Sequence, residues 1–204
     1  MNKWNQLPSQ AIIDKTIAAL KDNNIDALSA ETGKDAYKKV FEVLPEGAEV
    51  MNMTSVTLDT LAIPNQINES GKYNSVRNQL NSMNPETQNS QMQKLGAAPD
   101  WVIGSVHAVT QDGHVLIASN SASQLPAYAA GSNHVVWVVG AQKIVKNIEE
   151  GMKRIYEHSL ALENKRVQKA YGMKESFVSK ILIVNREARR GRTILILVNE
   201  VLGF

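Results

Sequence analysis

The chain has no cysteine among its 204 residues. Disulfides, a thiolate nucleophile and an ordinary iron–sulfur cluster held by this chain alone are therefore excluded. Long apolar runs are missing too: no stretch approaches the roughly 20 apolar residues that a bilayer-spanning helix needs. The opening residues MNKWNQLPSQ lack the apolar core of a signal peptide. The expectation is a cytoplasmic protein with no membrane partner. Four histidines (His107, His114, His134, His158) show neither HExxH nor another tight ligand spacing, so no metal site is expected. The phosphate-loop pattern GxxxxGK[ST] and the dinucleotide pattern GxGxxG are absent, and so is the GxSxG elbow of many hydrolases.

What is present reads as an ordinary globular chain, 43% hydrophobic and 21% charged. Its length suits one sizeable core, so the expected organisation is one α/β domain over residues 1–204, with 1–44 as an N-terminal helical segment packed on it. The net charge of +2 conceals an asymmetry. Residues 1–140 carry 9 basic and 13 acidic side chains, whereas 141–192 carry 13 and 6. A basic third of this kind either attracts phosphates and carboxylates by its field or is a solvated helix face followed by a charged turn. The run Arg186-Glu-Ala-Arg-Arg-Gly-Arg192 has no interleaved aromatics, so it reads as a charged hairpin loop and nucleic acid is not an expected partner.

Helix and strand signals alternate along the chain, the pattern of an α/β fold. Ile13, Ile17 and Leu20 follow the candidate cap Ser9 at helical spacing, and Thr32 to Asp35 resembles a capping box ahead of the stripe Tyr37, Val40, Phe41, Leu44. A strand over 49–53 runs into Thr54-Ser-Val-Thr57. Residues 64–82 are polar and read as irregular. Asn84-Pro85-Glu86 starts a helix that Leu95-Gly96 stops. The runs 101–110 and 114–119 flank an Asp112-Gly113 hairpin turn. A buried strand over 135–139 precedes a long amphipathic helix with Ile148, Met152, Ile155 and Tyr156 on one face. Strands over 180–185 and 193–199 bracket the charged turn.

Three segments are candidates for an anion site. Thr54, Ser55 and Thr57 place hydroxyls at a strand-to-helix turn, beside unpaired backbone N–H groups; the competing reading is a plain helix cap. Ser121, Ser123 and Gln124 lie between a strand end and a helix start, where ligands sit at the carboxyl edge of an open sheet. Gly140, Gln142 and Lys143 follow a buried strand, with Gly140 allowing close backbone approach; Lys143 reads equally as a surface lysine. Ser105 and His107 share a strand face at i and i+2, which favours a structural pair over a hydrolase dyad. His114, His134 and His158 read as surface positions.

Taken in order, several segments resemble the lactate-utilisation (LUD) domain family. They are Pro45-Glu-Gly-Ala-Glu-Val50, Met53-Thr-Ser-Val-Thr-Leu58, Glu69-Ser-Gly-Lys-Tyr73 and Gly104-Ser-Val-His-Ala-Val109. Further along come Gly113–Ser119, Ser123-Gln-Leu-Pro-Ala-Tyr128, Val138-Val-Gly-Ala-Gln-Lys-Ile-Val145, Asn185-Arg-Glu187 and Leu202-Gly-Phe204. The resemblance implies a fold similar to the NagB/RpiA/CoA-transferase-like group, a mostly parallel central sheet with helices on both faces. It also adds Gly104 and Ser105 to the candidate ligand-binding residues. The role it implies is a non-redox accessory subunit of lactate or organic-acid utilisation that binds an anionic small molecule, with clusters carried by a redox partner protein and a homo-oligomer as a further possible partnership. The alternative implied by the fold relatives is an acyl-transfer or ligase-type enzyme. The resemblance specifies no cofactor and no catalytic residue.

Overall fold

The computed structural model describes residues 2–172 and 174–204. A one-turn 3-10 helix (Lys3–Asn5) precedes α1 (Gln10–Asp22), β1 (Asp26–Ala30), α2 (Gly33–Val43), β2 (Glu49–Asn52), α3 (Val56–Thr60), α4 (Ile63–Glu69) and β3 (Asn74–Ser75). Next come α5 (Val76–Ser82), α6 (Pro85–Ala97), β4 (Trp101–Gly104), β5 (Ala108–Thr110) and β6 (Val115–Ser119). A π-helical turn (Ala127–Gly131) leads to β7 (His134–Gly140), a 3-10 turn (Ala141–Lys143) and β8 (Ile144–Val145). The chain closes with α7 (Ile148–Arg154), a second π-helical turn (Ile155–Ser159), α8 (Leu160–Tyr171), β9 (Lys180–Val184) and β10 (Thr193–Val198).

Six strands form a parallel central sheet in the order β1-β10-β7-β4-β2-β3. Its inner strands are covered on both faces, which is why β7 and β10 are almost unbroken apolar runs. Alternation sorts their side chains. Val135, Trp137, Val139, Leu195 and Leu197 join α1, α5 and part of a second sheet in one core, while Val136, Val138, Ile196 and Val198 join α2, α3 and α4 in another. At about 1.5–3 kcal/mol for each fully buried Val, Leu or Ile, these two cores dominate the stability of the sheet. The expected mostly parallel sheet with helices on both faces is thus present.

The second sheet has four strands, β8-β5-β6-β9. One face lies on the first core through Val109, Val115 and Ile117; the other packs Ala108, Leu116 and Ala118 against Ile148, Met152 and Ile155. The fit against α7 is close, since a Cβ on Gly151 would stand 2.9 Å from Leu116 Cδ2. Residues 2–44 contribute α1, β1 and α2, and β1 is an edge strand of the central sheet itself.

Local signals mostly act as read. Thr32 Oγ1 accepts from Asp35 N at 3.2 Å, capping α2, and Asp35 reaches back past the cap to accept from Glu31 N at 3.2 Å. Thr32→Ala is expected to remove about 1 kcal/mol of stability, read as a lower urea midpoint at unchanged slope; an unchanged midpoint contradicts it. Gly113, at φ +84°, makes the β5–β6 turn.

Four readings are corrected. Residues 64–82 are not irregular: the stretch holds α4, β3 and α5, organised by the apolar residues Ile63, Ile67 and Val76, each buried, with Ser75 capping α5 through Asn78 N. The run 101–110 is two strands in two sheets, because the chain leaves the central sheet after Gly104. Strands β9 and β10 are not a hairpin; β9 pairs antiparallel with β6, whereas β10 inserts between β1 and β7. The long helix turns through one π-helical turn, which rotates Tyr156 outward to 51% exposure while Ile155 is buried.

Candidate functional site

After β2 the chain turns into α3 on one face of the sheet; after β4 it crosses to the second sheet on the other face. Adjacent strands whose connections depart to opposite faces open a crevice at their carboxyl ends, where ligands of open α/β sheets bind. A cavity of about 290 Å³ occupies this position.

Eight of the sequence-predicted residues line it. Thr54, Ser55 and Thr57 come from the β2–α3 turn, Ser105 from the end of β4, Ser121, Ser123 and Gln124 from the loop after β6, and Lys143 from the turn after β7. The other three face their own chain. A Cβ on Gly104 would overlap the Tyr128 hydroxyl, so the close approach there is made by Tyr128. At Gly140 a Cβ would crowd Gln142 Oε1 and stand 2.8 Å from both Glu200 O and Leu202 N. Gln142 Nε2 donates to Leu202 O at 2.9 Å and Gly203 O at 3.4 Å, fastening the segment that sets Phe204 against the cavity.

The local roles are uneven. Ser55 caps α3 through Leu58 N at 3.5 Å, and α3 is only five residues long, so the dipole expected there is small. The loop after β6 spends its polar groups largely on itself: Ser119 Oγ donates to Gln124 Oε1 at 3.0 Å and accepts from Ala122 N at 2.9 Å. Ser123 Oγ also lies 3.4 Å from Gln124 Oε1 rather than capping a helix.

Lys143 is the chemical centre. It is buried, 1% exposed, which corrects the surface reading. Its Nζ donates to Val106 O at 3.1 Å and lies 3.2 Å from Thr57 Oγ1 and 3.1 Å from Ser105 Oγ. Among the described residues no carboxylate pairs with it. Burial first, and then the charge of Arg154, pushes its ammonium well below the usual lysine range. Arg154 is itself fully buried. It donates from Nη1 to His107 O at 2.5 Å and Ser159 Oγ at 3.2 Å, while among the described residues Nε and Nη2 have no hydrogen-bond partner.

Both nearby imidazoles are held neutral. His107 Nδ1 accepts from Ala118 N at 3.1 Å; burial, then Lys143 and Arg154, lowers its pKa to about 3. His158 was read as a surface residue but is buried, hydrogen-bonded to Asn2 Nδ2 at 3.1 Å, its pKa lowered to about 4 by burial and by Arg154 and Lys143. His134 is half-buried and stacked on Trp101 at 4.1 Å, and His114 sits 3.4 Å from Asp112, so neither is a free surface imidazole.

Sequence reasoning passed over Tyr128, Glu163 and Arg166, which also line the cavity. Tyr128 is enclosed beside Trp137, and burial pushes its phenol up. Glu163 accepts from Arg166 Nε and Nη2, both at 2.7 Å, so this carboxylate is already neutralised. The i,i+3 spacing of that pair was a usable signal. Nothing local marked Tyr128. Among the described residues no three His, Asp or Glu side chains come together as a metal site; hydroxyls and the buried Lys143 are among the polar groups that the cavity wall offers.

An open parallel sheet with a hydroxyl-lined crevice at its carboxyl edge, over a buried lysine, defines an α/β protein of the open-sheet class. The LUD domain family model matches residues 13–198, and the chain belongs to that family. The crystal structure of a DUF162 family protein from Deinococcus radiodurans is similar in fold, with a TM-score of 0.56 and 11% identity over 95% of this chain and 99% of that one. No curated protein matches the chain. Among the described residues no helix is long and apolar enough to cross a membrane.

Proposed function

We propose that this LUD-domain chain binds a small carboxylate or phosphate in the crevice between β2 and β4, as the ligand-binding, non-redox accessory subunit of an organic-acid pathway such as lactate utilisation. The observation that carries this reading is Lys143, buried at the cavity wall with Arg154 behind it and, among the described residues, with no carboxylate paired to either. An isolated buried charge is expensive, and an anion in the cavity offsets that cost. Because the chain has no cysteine, electrons in such a pathway travel through clusters on a partner protein.

Thermal shift with lactate, pyruvate, inorganic phosphate and acyl-CoA tests it. A ligand at 100 times its Kd adds about 2.7 kcal/mol to the native state, and the rise in Tm is expected in the wild type and absent in Lys143→Met. No shift with any anion, or equal shifts in the two proteins, overturns the reading. The pH dependence has a definite sign. The free site lowers the lysine pKa, whereas a bound anion needs the ammonium; binding therefore takes up a proton and weakens as pH rises through the free-site pKa.

A further inference from the structure

We propose that Ser105 and Lys143 form a serine–lysine catalytic dyad for acyl transfer from a small ester or thioester. Three contacts surround Lys143 Nζ, and they are not equivalent. Val106 O can only accept. Thr57 Oγ1 donates its own proton to Leu202 O at 3.3 Å, so towards the lysine it also acts as an acceptor. Two N–H bonds are thereby fixed. The third direction points at Ser105 Oγ, 3.1 Å away, a group that can either accept a proton or give one.

The geometry therefore has two states that differ by a single proton. With an ammonium, all three N–H bonds are used and Ser105 accepts. With a neutral amine, the lone pair faces Ser105 and receives its O–H. Burial, with no carboxylate partner among the described residues, favours the second state more than water does. Among the described residues Ser105 has no other hydrogen-bond partner, and it lines the cavity. His107 is not the base, because its Nδ1 is occupied by Ala118 N.

The chemistry balances within these groups. Ser105 Oγ attacks the acyl carbonyl as its proton passes to Lys143 Nζ; the tetrahedral adduct collapses, the carbonyl–heteroatom bond breaks, and the departing alcohol or thiol takes that proton. Water or another nucleophile then attacks the acyl-serine, giving its proton to Lys143, which returns it to Ser105 as the acyl group leaves. Thr57 is a positioning residue that acts through the lysine.

This inference shares the cavity with the anion site but does not rest on anion binding. Acylation needs neutral Lys143 and speeds up with pH; anion binding needs the ammonium and weakens with pH.

The test is intact-mass labelling of the full chain with a fluorophosphonate over a pH series that ends near the ordinary lysine pKa of about 10.4. One adduct per chain, mapped to Ser105, is expected, with a rate that rises with pH. Ser105→Ala should abolish it, and Lys143→Met should slow it by about 100-fold or more. Lys143→Arg, which keeps the charge but cannot release it, should be equally slow. The exposed-surface variant Lys153→Ala should label as wild type. Thr57→Val removes an acceptor from the ammonium and should move the pH profile down, with Thr57→Ser restoring it. No adduct at the alkaline end, an adduct in folded Ser105→Ala, or wild-type rates in both lysine variants overturns the dyad. Thermal shift and labelling fail separately, so loss of one reading leaves the other standing.

Discussion

Glu187→Ala is expected to lower stability by about 3–5 kcal/mol, the range for stripping one partner from a buried ion pair. Glu187 Oε2 accepts from Arg192 Nη1 at 2.7 Å and from Thr193 Oγ1 at 2.8 Å, in a site where Glu187 is 8% and Arg192 7% exposed. The arginine also donates to Ser132 O, Ala127 O and Tyr128 O at 2.9–3.0 Å, tying the start of β10 to the π-helical turn that carries Tyr128. Removing the carboxylate leaves that guanidinium charged, enclosed and facing only carbonyls. A loss below about 1 kcal/mol, the value of a surface pair, contradicts this account.

The same group sets an acid limit. Burial alone pushes the Glu187 carboxyl up, but hydrogen bonds from Thr193, Arg192 and the Arg189 N–H, together with the Arg192 charge, outweigh it and leave the pKa below the usual glutamate value. A folded-state pKa below the unfolded one means stability that is present at neutral pH and lost as pH falls through the folded value. Urea titrations below about pH 4.3, the ordinary glutamate pKa, should show wild-type stability falling more steeply than that of Glu187→Ala. Parallel curves contradict the assignment.

Gly104→Ala is expected to destabilise by about 1–3 kcal/mol through overpacking, a drop of roughly 2–4 °C in Tm for each kcal/mol in a chain of this size. The new Cβ would overlap the Tyr128 hydroxyl and stand 2.9 Å from its Cζ. The ring cannot swing clear, because it is 2% exposed and edge-on to Trp137 at 5.5 Å. Tyr128→Phe removes the overlapping atom, so the double variant should be more stable than the sum of the single effects implies. Additive losses show that the clash lies elsewhere.

The sequence made its local commitments legible. The Thr32 cap, the Asn84 cap before Pro85, the Asp112-Gly113 turn and the two-faced apolar pattern of β7 are decided by neighbours within a few residues, and the structure has them all. Where pairing is non-local, the pattern misleads. Nothing between Trp101 and Thr110 says that Gly104 is the last residue in one sheet and Ala108 the first in another. Residues 180–198 look like a hairpin because strand periodicity does not name a partner. The site divides in the same way. Hydroxyl-rich segments and Lys143 stand out by composition, but the enclosure of Lys143 comes from residues 57, 105 and 106, far away in the chain. The self-bonded Ser119–Gln124 loop and the α8 pair Glu163–Arg166 show the limit from both sides: one drew notice for polar groups it largely uses itself, and the other was passed over.

The position of β10 also bears on biosynthesis. The tenth strand to be made fills the slot between β1 and β7, and among the described residues it is the one sheet neighbour of β1. A ribosome working at about 5–20 residues per second needs on the order of ten to thirty seconds to travel from the end of β1 to the end of β10. Throughout that interval β1 lacks its β10 neighbour, and once β7 has been made one of its edges lies open as well, so the nascent chain exposes unpaired strand edges of the kind that chaperones cover. Pairing partners this distant in sequence also slow folding from the denatured state. Late closure by a single strand makes the vulnerable period of this protein its synthesis rather than its mature life.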